Sequence, residues 1–201
     1  MKKTLLLVAL LLVGCGSGSK SISSVAYYDL GAVQPAPNNR IVASLRSIDV
    51  FAVSWLDSSA MQYRLLYAAN QRRQNYADSR WVAPPAELLG HALRKRMLSG
   101  ETGGACRLRV DLDEFAQVFD SAKASHVLLE ARVQVVAPSG GDILARHSFS
   151  LSRPADSADA SGGVAALTGA VEAFSTELHD WLGGLDRAAA SGLNIAQRCR
   201  S

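Results

Sequence analysis

The chain has 201 residues, of which 48% are hydrophobic and 19% charged, and a formal net charge of +3. So small a charge argues against a nucleic-acid binder, which needs Lys and Arg clustered along one face. Once the two ends are set aside, the length suits one domain with a proper core and leaves little room for two.

Met1, Lys2 and Lys3 form a short positive start, and Leu5 to Val13 follow as a run of nine apolar residues. As a helix that run would be about 14 Å long, roughly half a bilayer core, so it is too short for a permanent span. A basic start, a brief apolar run and then small residues outline a secretory signal peptide. Leu12-Val13-Gly14-Cys15 resembles the bacterial lipobox. The resemblance implies cleavage between Gly14 and Cys15, diacylglycerol on the Cys15 sulfur and acylation of the new amine. The thiolate is the nucleophile that takes the lipid, and two or more chains on one residue hold a protein stably at a membrane. Gly16, not Asp, follows the cysteine; by resemblance to sorted bacterial lipoproteins, this implies the periplasmic face of the outer membrane. The organisation expected is a signal peptide over residues 1–14, a lipidated flexible tether over 15–26, a folded domain over 27–190 and a tail over 191–201.

The Gly/Ser-rich stretch from Gly16 to Ser24 reads as flexible coil. Tyr27 to Gly31 is a short strand candidate, and Pro35 to Asn39 a loop. Leu45 to Val53 predicts a strand with Ile48, Val50 and Ala52 on one face. Gln62 to Tyr67 predicts another, with Tyr63, Leu65 and Tyr67 together, and Asn70 to Ala77 its hairpin partner. Pro84-Pro85 opens a helix whose Leu88, Leu89, Ala92, Leu93 and Met97 share one face, with Gly100 as its stop. Cys106, Leu108, Val110 and Leu112 alternate with charged residues, as do Val127 to Val135 with Leu128, Glu130, Arg132 and Gln134: both are half-buried strands. Pro138 to Gly141 is a turn, and Ile143, Ala145, His147, Phe149 and Leu151 mark the returning strand of an antiparallel hairpin. Arg153 to Gly163 is small and polar and reads as a surface loop. From about Val164 to Leu185 one apolar stripe, Val164, Leu167, Val171, Phe174, Leu178, Trp181 and Leu185, predicts a long helix packed on the sheet. The sum is an α/β fold: a mixed, largely antiparallel sheet packed by two main helices in a single domain.

No catalytic pattern stands out. His91, His126, His147 and His179 are scattered without zinc-ligand spacing, so no metal site is expected. No nucleophile elbow, phosphate loop or dinucleotide glycine pattern is present. Asp111, Asp113 and Glu114 read as a solvated strand edge, and Glu177 and Asp180 as the wet side of a helix. Cys106 and Cys199 are an even pair in an exported chain, where disulfides form; spacing leaves a bridge and two separate thiols both open.

Trp55-Leu56-Asp57-Ser58-Ser59-Ala60-Met61, Tyr63-Arg64-Leu65, Tyr76 to Trp81 and Pro84 to Leu89 resemble, in that order, the ABC-type transport auxiliary lipoprotein family, which includes the PqiC-like lipoproteins. Tyr28-Asp29-Leu30 matches its first strand, while Ser54-Trp55 stands where the family usually has a proline. The resemblance implies an α/β fold and a non-catalytic auxiliary subunit beside machines that pair an inner-membrane ABC transporter with an MCE-family periplasmic protein. Such machines move lipids or other hydrophobic solutes across the bacterial envelope, and homo-oligomers fit the same picture. No cofactor is implied beyond the N-acyl and S-diacylglycerol lipid on Cys15. Trp55, Leu56 and Met61, in a loop where polar residues would be expected, and Trp81 are candidate partner contacts. For Trp81 a core position at the helix entry is the stronger expectation. The alternative is a lipid-binding lipoprotein or an envelope-assembly factor not tied to a transporter; a lipid shuttle would need a sizeable apolar pocket.

Overall fold

Alternation decides which side of each strand meets the helices. In the computed structural model, which describes residues 24–32, 45–98, 104–138, 141–187 and 198–199, seven strands form one sheet. The signal segment, Gly14, Cys15, the tether to Ser23, the Pro35–Asn39 loop, Gly100 and most of the tail lie outside the described residues. The strands are β1 (Ala26–Tyr28), β2 (Leu45–Ala52), β3 (Ala60–Leu65), β4 (Asn70–Trp81), β5 (Cys106–Ser121), β6 (Ala124–Val136) and β7 (Ile143–Pro154); the two long helices are α1 (Pro85–Met97) and α2 (Ala160–Arg187). The spatial order is β1-β4-β3-β5-β6-β7, with β2 also paired to β5. The β3–β4, β5–β6 and β6–β7 pairings are antiparallel, and those of β1 with β4, β2 with β5 and β3 with β5 are parallel. The two longest ladders, β5–β6 and β6–β7, are antiparallel.

β2 and β3 lie end to end along one edge of β5. Ala52 pairs with Leu112 and Tyr63 with Gln117, so eleven residues on one side advance against five on the other. The surplus leaves the sheet as an excursion that begins with a single 3-10 turn, Ser54–Leu56. Leu56 drops back from it into the core. After β3, Leu66–Ala69 forms one helical turn, so Tyr67 leaves the strand on which its spacing placed it.

Both helices cover the same sheet face. Leu108, Val110 and Leu112 of β5, Val127 to Val135 of β6 at alternate positions, and Phe149 and Leu151 of β7 are buried beneath them. α1 packs on β2, α2 on β6 and β7, and the two helices touch. Proline sets the entry of α1; Glu87 lies in its first turn and Arg94, Lys95 and Arg96 in its last, which suits the helix dipole. In α2 the predicted stripe is the buried one: Leu167, Val171, Phe174 and Leu178 lie in the core, and Val164, Trp181 and Leu185 pack against it.

α2 begins earlier than the sequence suggests. Ala160 to Gly163, read as loop, is its first turn. Asp159 caps it, accepting a hydrogen bond from the Gly162 amide at 2.8 Å and from the Ser157 hydroxyl at 2.8 Å. That backbone bond first, and the serine second, hold the Asp159 carboxyl below the ordinary aspartate range. Its contribution to stability is therefore present above that range and fades as pH falls through it. The glycines are there for close approach. A Cβ on Gly162 would overlap the Ser157 carbonyl, and one on Gly163 would overlap the Gln117 carboxamide.

Cys106 and Cys199 are bridged, with Cα atoms 5.0 Å apart across 93 residues of sequence. The Ala105 amide also donates to the Cys199 carbonyl at 2.7 Å. Both sulfur-bearing residues are fully buried. The tail is thus stitched to the start of β5, the central strand. Cutting so long a loop with Cys199→Ser should lower unfolding stability by about 2–4 kcal/mol, read as a drop in the urea midpoint. Non-reducing peptide mapping should yield the Cys106 and Cys199 peptides joined.

Candidate docking face

The other face of the sheet carries neither long helix and, among the described residues, no other helix of that length. Its residues come from the charged half of each alternation. Across the strands, Asp49, Arg109, Gln134 and Arg146 form one row, and Phe51, Asp111, Arg132 and Ser148 the next. Arg109 donates to Asp111 along the strand, at 2.8 Å at the closest. Arg132 reaches Asp113 with two bonds, 2.7 and 2.8 Å. Hydrogen bonding to the carboxylate, and then its charge, holds both guanidiniums above their ordinary value. These pairs are exposed, so they contribute little to stability. Their effect is a fixed alternation of charge on a rigid surface, the kind of pattern that sets the register of a partner.

Glu114 departs from the sequence reading. It was expected on a solvated edge with Asp111 and Asp113; instead it is buried, 6% exposed. An irregularity in the β5–β6 register between Leu112 and Glu114 pairs the latter with Glu130, on the helix-free side, and it is buried there because two arginines close over it. Arg73 grips the carboxylate with both terminal nitrogens, at 2.7 and 2.8 Å, and Arg64 adds a bond of 2.6 Å. β3 and β4 supply the two arginines from directly paired positions. Two like charges side by side on neighbouring strands would repel; the shared carboxylate turns that repulsion into a clamp joining β3, β4 and β5.

Aromatic side chains border this charged field. Phe51 lies under the Arg109 guanidinium, 4.6 Å from ring centroid to carbon, and Trp55 under that of Arg73, at 5.7 Å. Trp55 is 51% exposed, whereas Leu56, Met61 and Trp81 are 2%, 3% and 1% exposed. Of the four candidate contact residues, only Trp55 is therefore available to a partner. Leu56 and Met61 are core because the excursion after β2 folds inward. Trp81 closes the end of β4 against Phe115, with centroids 5.5 Å apart. Phe51, which the sequence reading did not single out, joins Trp55; it is the outward-facing apolar residue of β2, and its opposite parity to Ile48, Val50 and Ala52 was the available signal.

Beneath the start of α2 a short chain of polar groups is hydrogen-bonded. The Tyr76 hydroxyl donates to Gln117 Oε1 at 2.8 Å, and Gln117 Nε2 donates to Ser125 Oγ at 2.7 Å. Burial, and then the charge of Asp159, raise the Tyr76 phenol above its usual range, so it remains a neutral donor. The enclosed hollow beside this network, lined by Met61, Trp81, Phe115 and Leu167 among others, holds about 10 Å³. That is room for about one water and not for an acyl chain. His147 stands at the rim of the helix side, stacked on Trp181 at 5.5 Å and edge-on to Phe149 at 4.7 Å. His126 bonds Asp120 at 2.8 Å. Among the described residues no group of three His, Cys, Asp or Glu is placed to hold a metal ion. Also among them, no helix is long and apolar enough to cross a membrane.

What the open face can do is bind: its strands present arginines, paired with acids, and two exposed aromatics, and arginine and aromatic side chains are enriched in protein–protein interfaces. The clamp beneath Trp55 should be needed to hold that arrangement. Glu114→Gln should cost about 2–3 kcal/mol in chemical denaturation and quench or shift the Trp55 emission by freeing Arg73, with Trp55→Phe as the reference for assigning that signal.

Residues 28–179 match the family model described as ABC-type transport auxiliary lipoprotein component. No curated protein matches the sequence. The chain is similar in structure to protein XCC0632 from Xanthomonas campestris, of family DUF330, with a TM-score of 0.69 and 20% identity over 81% of this chain and 99% of that one. A second crystal structure, of an uncharacterised protein, gives a TM-score of 0.57 at 14% identity, covering 77% of this chain and 96% of that one. At these identities the two likenesses concern the fold.

Proposed function

We propose that this chain, which belongs to the ABC-type transport auxiliary lipoprotein family, is a non-catalytic docking subunit of an envelope transport system, held by lipid on Cys15 at the periplasmic face of the outer membrane. The observation that carries the reading is the family match itself, which runs from the first strand into α2 and so takes in the whole folded body. Membership ties the chain to an ABC transport system and to a membrane. The finer reading is that the partner is an MCE-family periplasmic protein working with an inner-membrane ABC transporter, and that the cargo is lipid or another hydrophobic solute.

Three features support that finer reading. The lipobox-like Leu12 to Cys15 gives an anchor without a spanning helix. The open sheet face gives a rigid surface with Trp55 and Phe51 exposed among paired charges. Beneath α2 the described residues pack tightly, the hollow there admitting about a single water, which gives a firm body behind that surface.

Purification of the acylated protein from envelope under mild detergent should bring the MCE-type protein with it. Cys15→Ser should leave the body folded but release it from the membrane fraction and weaken the permeability barrier of the cell. Cys15→Ser protein that still fractionates with the envelope, in cells with an intact barrier, would contradict the anchor. Capture of an envelope-assembly machine in place of a transporter would contradict the partner.

A further inference from the structure

Exposed apolar side chains are not scattered evenly over this protein. Eight large ones stand out among the described residues: Val25, Tyr27, Phe51, Trp55, Leu66, Tyr67, Val82 and Ile143. Phe51 and Trp55 belong to the docking face. Five of the remaining six lie at the two ends of β4, three beside β1 and two on the turn that leads into β4 and also meets the end of β5. Leu66 and Tyr67 sit on the helical turn where β4 begins. Val25 and Tyr27 lie in and just before β1, which pairs with the other end of β4, and Val82 follows β4 directly, its amide bonded to the Tyr28 carbonyl at 2.8 Å.

The margin formed by β4 and β1 is the one at which the tether joins the body. β1 runs parallel to β4, with Ala26 opposite Ser79 and Tyr28 opposite Trp81. Followed backwards, the chain therefore enters alongside β4. From Ser24 to Cys15 is nine residues, a reach of at most about 32 Å. The strand from Asn70 to Trp81 measures about 36 Å. A lipid anchor on Cys15 thus keeps the bilayer within about one strand length of this edge.

Charge there is balanced and small. Arg72 is exposed, and Arg80 folds back onto the Tyr76 and Ser79 carbonyls. Against them stand Asp78, which accepts from the Ser79 hydroxyl, and Asp29, which accepts from the Gly31 amide. An edge of two tyrosines, two valines and a leucine with nearly zero net charge fits the headgroup boundary of a membrane, where amphipathic rings settle. Beside it, between β1 and the start of α2, lies an open hollow of about 550 Å³ lined by Tyr27, Leu30, Val82 and Val164 among others.

We infer that the β1–β4 edge is the membrane seat of this lipoprotein: Val25, Tyr27, Leu66, Tyr67 and Val82 rest in the bilayer interface and fix the orientation of the body. The seat rests on the reading of Cys15 as lipidated. Attraction to anionic lipid contributes little, so the seat forms on phosphatidylcholine vesicles and survives high salt. The body then lies along the bilayer on one sheet margin, and its helix-free face stands roughly upright and open to the periplasm.

Amide hydrogen exchange on the mature acylated protein in phosphatidylcholine vesicles tests this, with intact mass recording the lipid on Cys15. Segments 25–31 and 66–78 should exchange on the order of tenfold more slowly in the wild type than in a Tyr27→Glu/Tyr67→Glu variant. Exchange in β5 and β6 should be the same in both, which shows that the variant is folded. Equal rates in the two proteins with lipid present would overturn the seat alone. A mass without lipid would overturn the reading of Cys15 and the seat with it. Protection that rises with protein concentration and is indifferent to vesicles would assign the edge to a second copy and overturn the membrane seat.

Discussion

One constraint shapes the rest of this molecule: both helices pack on the same side of one sheet. Outside the wholly buried run from Glu114 to Phe119, the buried Val, Leu and Phe of β5, β6 and β7 alternate with more exposed residues, so filling one face with apolar side chains forces the other to be polar. The helical stripe of Leu167, Val171, Phe174 and Leu178 closes the filled side. The disulfide ties the tail to β5, where that side begins. What is left over is a charged surface of paired strands that neither long helix covers.

A surface of this kind suits attachment better than chemistry. Three of its acids are held by arginine: Asp111 by Arg109, Asp113 by Arg132, and Glu114 by Arg64 and Arg73. Their oxygens are committed to guanidinium hydrogen bonds. The buried clamp at Glu114 fixes β3 and β4 to β5 and supports Trp55 from below through Arg73. Strand pairing, ion pairing and an exposed aromatic are therefore one connected unit. An auxiliary subunit needs a surface that keeps its shape while larger machinery moves, and the membrane seat proposed for the β1–β4 edge would leave this face open.

Much of this was legible in the sequence, because period-2 and period-3.6 patterns report burial directly. Cys106 to Leu112, Val127 to Val135, the α1 face and the α2 stripe all lie as their spacing predicts. The misreadings have physical causes. Glu114 stays on the helix-free side because the β5–β6 ladder shifts just before it, and it is buried there under Arg64 and Arg73, which only long-range strand pairing brings over it. Near the start of β7 a similar shift buries Leu144 and exposes Ile143. Ser161-Gly162-Gly163 looked like loop because glycine disfavours helix, but here the glycines let α2 approach Ser157 and Gln117. Leu56 and Met61 were expected outside because a loop of polar residues surrounds them; the inward fold of the excursion depends on β2 and β3 sharing one edge of β5, a long-range pairing that no local window contains.

The account's central claim is that the helix-free face is the working surface, and site-specific photo-crosslinking in cells tests it most directly. A photoreactive side chain at Phe51, Trp55 or Ser148 should give adducts with a protein of the transport system, and the same group at Glu172 or Thr176, on the outward side of α2, should give none. Adducts from α2 together with silence from the three sheet positions would contradict it.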